Sequence, residues 1–99
     1  MIGIDITGAA IGELSASDAA AVFSAALAEG QYEVFADNAK VYVKILKEGE
    51  AEASFAKAYP LWLGNSRTFI VPNNGKIGVI CASGEAAITV QYHKVWPTA

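Results

Sequence analysis

This 99-residue sequence predicts a mainly β fold, an antiparallel β-sandwich or barrel of six to seven strands with one N-terminal α-helix. Three observations lead there. After residue 30 a turn signal recurs roughly every 8–12 residues, the spacing of short antiparallel strands. Between those signals apolar residues alternate with polar ones, the period of a half-buried strand. Alanine, by contrast, crowds the first 30 residues, where it supplies helix propensity. The length allows one domain, 1–99, divided into an arm at 1–14, a helix at 15–30 and an antiparallel β core at 31–95.

In the arm, Ile2, Ile4 and Ile6 alternate with Gly3, Asp5 and Thr7, so a short strand has one apolar face. It either joins its own sheet or is exchanged onto a neighbouring subunit or partner. Gly8 to Gly12 loosens the chain. Ser15 or Ser17 suits a helix N-cap, and Asp18 suits the positive end of the helix dipole. Asp18 to Glu29 is then the helix, with Phe23 and Leu27 four apart on one face. Gly30 stands where a left-handed C-terminal cap belongs.

From Gln31 the period changes to two. Tyr32, Val34 and Ala36 share a face, and Asp37-Asn38 signals a turn. Val41, Val43 and Ile45 then face one way, with Lys40, Tyr42 and Lys44 on the other. Lys47-Glu48-Gly49-Glu50 is a solvated turn, and Glu52–Ala58 is a weaker strand or extended edge. Tyr59-Pro60-Leu61 contains proline and reads as an edge or a connection. Gly64-Asn65-Ser66 leads into a strand at Arg67–Val71. Pro72-Asn73-Asn74-Gly75 is the strongest hairpin signal in the chain. Lys76–Ala82 is a nearly continuous apolar strand, and Ser83-Gly84 turns into the last one, Ala86–Val95.

The net charge of −3 argues against a nucleic-acid binder, which would show a basic face. The charge is uneven. Asp5, Glu13, Asp18 and Glu29 stand in the first 30 residues without a Lys or Arg, whereas all seven bases follow. No stretch is long and apolar enough for a membrane helix, so no membrane partner is expected. One cysteine, Cys81, excludes a disulfide framework and suits folding in a reducing cytoplasm.

Chemistry-bearing residues are few. A lone His93 lacks the further ligands that zinc needs. Cys81 lies in an apolar run and reads as a small hydrophobe, and a Cys81–His93 nucleophile pair lacks a third, orienting group. Glu48, Glu50 and Glu52 lack the Asp/Asn and Gly pattern of a calcium loop. No cofactor, metal or catalytic residue is therefore assigned, and the chain does not read as an enzyme. The residues that call for a partner are Ile2, Ile4, Ile6, Trp62 and Trp96. Trp62 is equally suited to core packing, to sugar stacking and to an interface. Trp96, near the chain end, suits a contact that holds that end in place.

The stretches Glu29-Gly30-Gln31-Tyr32-Glu33-Val34, Lys40-Val41-Tyr42-Val43-Lys44, Tyr59-Pro60-Leu61 with Gly64, Lys76 to Gly84 and Ala87-Ile88-Thr89-Val90 resemble small structural proteins of tailed-bacteriophage virions. The resemblance covers about residues 29–95 and is one of strand and turn residues. It implies a virion component, such as a capsid decoration (cement) or other head accessory protein. On that expectation the chain folds in the host cytoplasm and resides in the virion. Its partners would be the major capsid protein or another virion protein, and copies of itself, with a trimer favoured. The alternative expectation is a carbohydrate-binding β-sandwich module, resting on Tyr59, Trp62 and Trp96 with Asn65, Asn73 and Asn74 nearby.

Overall fold

The alternation between residues 30 and 46 becomes two strands that face each other across the core instead of pairing. The structure, a computed structural model, describes residues 3–5, 11–36, 39–50, 58–62, 64–85 and 88–96. Its strands are β1 (Gly3–Asp5), β2 (Ile11–Ala16), β3 (Val22–Phe23), β4 (Gly30–Ala36), β5 (Val41–Leu46), β6 (Tyr59–Leu61), β7 (Asn65–Val71), β8 (Lys76–Cys81) and β9 (Ile88–Trp96). They form two antiparallel sheets. One runs β1-β9-β4-β7, with β2 also paired to β9, and the other runs β3-β8-β5-β6. The arrangement is sandwich-like and mainly β, as the sequence predicts.

The inward faces follow the period of two. Tyr32, Val34 and Ala36 of β4, Val41 and Val43 of β5, Ile77, Val79 and Cys81 of β8, and Val90 and Tyr92 of β9 are buried in one cluster. Each large apolar side chain so buried contributes about 1.5–3 kcal/mol. Tyr32 is buried with its hydroxyl donating to the Ala28 carbonyl at 2.9 Å, which removes the cost of burying it. Its ring meets that of Tyr92 edge-on, with centroids 6.4 Å apart. Tyr92 in turn lies over Gly12, its direct cross-strand partner, where any Cβ would run into the ring.

The predicted helix at 15–30 does not form. β2 ends at Ala16, bends follow at 18–20, and β3 takes up Val22 and Phe23. The backbone groups of this stretch bond to β8 and to Gly75 just before it instead of closing helical turns. Ser24 N–H donates to the Ile77 carbonyl at 2.9 Å, Cys81 N–H to the Ser17 carbonyl at 2.9 Å, and Leu27 N–H to the Gly75 carbonyl at 2.9 Å. Alanine propensity is worth only tenths of a kcal/mol per residue, and pairing against an apolar strand outweighs it. Ser24 completes the edge of β8. Its hydroxyl accepts the Ile77 N–H at 2.9 Å, standing in for a strand carbonyl.

The arm also differs from its expected boundary. Ile11 and Gly12, read as part of a loosened stretch from Gly8 to Gly12 within the arm at 1–14, begin the six-residue strand β2. β1 and β2 lie end to end on one edge of β9: Asp5 pairs with Lys94 and Ile11 with the adjacent His93. Gly3–Asp5 thus adds a short strand to the sheet of its own chain.

The turn chemistry at Pro72-Asn73-Asn74-Gly75 was well placed, but it does not make a hairpin. Gly75 N–H donates to the Pro72 carbonyl at 2.8 Å and Asn74 has φ 61°. The turn carries the chain from β7 in one sheet to β8 in the other. Gly75 is required there because a Cβ would come 2.9 Å from the Leu46 carbonyl oxygen, a backbone atom that cannot move aside. The Ser83-Gly84 turn crosses between sheets in the same way, with Gly84 at φ 85°.

Candidate functional site

Strand parity sorts the outward side chains into two faces. On the five-stranded sheet, register puts Ile11, Glu13 and Ser15 of β2 beside His93, Gln91 and Thr89 of β9. Next come Glu33 and Phe35 of β4, then Thr68 and Ser66 of β7, with Ile70 beside Gln31. At the centre of this face His93 Nε2 lies 2.7 Å from Glu33 Oε1, while Ser66 Oγ donates to Glu33 Oε2 at 3.0 Å. One carboxylate thus ties three strands together. A hollow of about 360 Å³ lies beside it, lined by Ile11, Gly12, Glu13, Gln91 and His93.

The four-stranded sheet has a different outer face. Tyr42 pairs with Pro60 and Ile80, and Lys44 with Gly78, itself opposite Phe23. Lys40 Nζ sits 4.0 Å above the Trp62 ring and 5.3 Å from that of Tyr42, a double cation–π contact. The predicted grouping of Lys40, Tyr42 and Lys44 on one face is thereby found.

Between the two faces, on the β6–β7 side, a cleft of about 420 Å³ is lined by Tyr59, Trp62, Asn65, Ser66 and Arg67. Tyr59 is braced by Phe69, edge-on, with centroids 5.8 Å apart. Among the large apolar side chains, Ile70 is 75% exposed, Trp62 57%, Ile11 48% and Tyr59 44%. Trp62 is therefore a surface residue and not a core one.

The other predicted contact residues are less fully placed. Ile4 lies in β1 with its backbone opposite Val95, and Trp96 ends β9 opposite Gly3. Ile2 and Ile6 lie outside the described residues. Of the sugar-reading residues, Tyr59, Trp62 and Asn65 come together, whereas Asn73 and Asn74 sit at the β7–β8 turn.

Cys81 and His93 are not brought together. Cys81 is buried in the core from the four-stranded sheet, and His93 stands on the outer face of the other. Burial pushes the Cys81 thiol up from its ordinary value, and the carboxylates of Glu85 and Asp18 add to that. The shift favours the protonated thiol at neutral pH. Glu48 accepts from Asn74 Nδ2 at 3.2 Å and Glu50 from Lys47 N–H at 3.1 Å, while Glu52 lies outside the described residues. Among the described residues no three His, Cys, Asp or Glu side chains gather as metal ligands. No family model, curated protein or solved structure matches this chain.

The sequence reading missed Ile11, Ile70 and the Glu33–His93 pair. Ile70 carried a signal, because strand alternation from Val71 places it outward. Glu33 and His93 are 60 residues apart and meet only through β4–β9 pairing.

Proposed function

We propose that this chain is a structural component of a tailed-phage virion, a capsid decoration protein that acts by surface contact. The observation that carries this reading is the exposure of Ile70, Trp62, Ile11 and Tyr59 on a sandwich that already has a filled core. Large apolar side chains left outside gain burial only when something covers them. Sheet edges at β2 and β7 add strand templates of the kind that assembly uses. The virion context rests on the sequence resemblance. In this reading the protein folds in the host cytoplasm, uses no cofactor, and meets the major capsid protein and its own copies, not nucleic acid or membrane. Ile2, Ile4, Ile6 and Trp96 would add contacts from the β1–β9 end. Co-sedimentation with intact phage capsids tests it: saturable binding at a fixed ratio to the major capsid protein is expected, and a protein left wholly in the supernatant refutes it.

A second reading, a carbohydrate-binding module, is favoured by the cleft at Tyr59, Trp62, Asn65 and Arg67. It sets two exposed rings beside an amide and a guanidinium, the mixture that sugar sites use. A glycan array tests it. Binding abolished by Trp62→Ala supports the module, and silence across the array removes it.

A further inference from the structure

We propose that the outer face of the five-stranded sheet docks on the outer face of the four-stranded sheet of a second copy, so that copies associate head to tail. This rests on the assembly reading above and names the surfaces and the partner.

The two faces are complementary in charge. Strand positions on the outside of the five-stranded sheet carry Glu13 and Glu33 and, among the described residues, no Lys or Arg. Among the described residues, those on the outside of the four-stranded sheet carry Lys44 and Lys76, with Lys40 held over Trp62 and Tyr42, and no Asp or Glu at a strand position, although Glu48 and Glu50 share a hollow with Lys76. A face meeting its own kind would set like charges together, which disfavours a two-fold pairing of either face. A face meeting the other brings carboxylates to ammonium groups. Both also offer apolar area: Ile11, Ile70 and the half-buried Phe35 on one, Trp62, Pro60 and the half-buried Ile80 on the other. The molecule measures 38 Å by 30 Å in its two longer directions, room for the roughly 800 Å² per partner of a standard interface. Because the two surfaces differ, the contact is heterologous: it closes into a ring or continues as a stack.

The test is light scattering on the full chain at low salt, with two charge reversals. Wild type is expected to exceed the monomer mass. Glu13→Lys leaves Glu33 as the acid of its face and cancels that charge, and Lys44→Glu weakens the basic face, so each variant alone is expected to run at a lower mass. Mixed in equal amounts, they pair opposite charges wherever the two variants alternate and are expected to regain the higher mass. Circular dichroism confirms that both variants are folded. Variants that keep the wild-type mass alone, or that fail to reassociate when mixed, overturn the inference. A monomeric wild type that still binds capsids overturns it and leaves the decoration reading standing. A monomer that ignores capsids sinks both.

Discussion

β7 and β8 are consecutive strands of similar length joined by one tight turn, and they lead opposite lives. β8 lies between β3 and β5, and Ile77, Gly78, Val79 and Cys81 are all buried. β7 has a single partner, β4, and Arg67, Thr68 and Ile70 are exposed. Both contain isoleucine and valine, so apolar content does not separate them. The number of neighbours does. A strand flanked on both sides and capped by the opposite sheet supplies stability, and a strand flanked on one side supplies surface.

If that contrast holds, Ile77→Ala lowers the unfolding free energy by about 2–5 kcal/mol in urea, the cost of an unfilled core site. Ile70→Ala moves it by less than about 0.5 kcal/mol. Equal losses would break the comparison. Ser24→Ala tests the edge of β8. It strips the partner from a buried N–H of Ile77 and is expected to cost about 1–3 kcal/mol. Gly12→Ala drives a methyl into the Tyr92 ring and is expected to cost about 1–3 kcal/mol by overpacking. Removing the ring as well, in Gly12→Ala with Tyr92→Leu, should recover part of that loss in the same urea titration.

A smaller effect is expected in alkali. Burial raises both the Cys81 thiol and the Tyr92 phenol, so each is neutral when folded. Unfolding lets them ionise at their ordinary values. Their contribution is therefore complete below about pH 8.5 and fades as pH rises, first through the thiol and then through the phenol near about pH 10. Thermal melts should fall across that range, and Cys81→Ala should flatten the earlier part of the fall.

The legible part of this fold is the part that alternation governs. Tyr32, Val34, Val41 and Val43 announce which way they face, because a period of two admits only two answers. The stretch from Ser15 to Gly30 misled because propensity is a local quantity and its hydrogen-bond partners lie 48–64 residues away, on β8 and at Gly75 just before it. The turn at Pro72 to Gly75 misled differently. Its residues specify a reversal of the chain, not whether the flanking strands then pair or face each other. For the site, Trp62 could be singled out as a large ring beside a proline. Glu33 and His93 could not, since neither belongs to a spaced motif.

The crossing of the chain between sheets at almost every turn bears on how the protein acquires its structure. Among the described strands only β5 and β6 are both consecutive and paired, whereas β1, β2 and β4 all pair with β9. Little of the five-stranded sheet can zip up locally. Its centre is the last strand, and three earlier strands must wait for it. Ordering depends on closing long loops before any pairing rewards them, which places folding in the slow, millisecond-to-second class of all-β topologies. While they wait, the apolar edges of the early strands remain open to other chains, so a growing concentration of nascent copies favours mispairing.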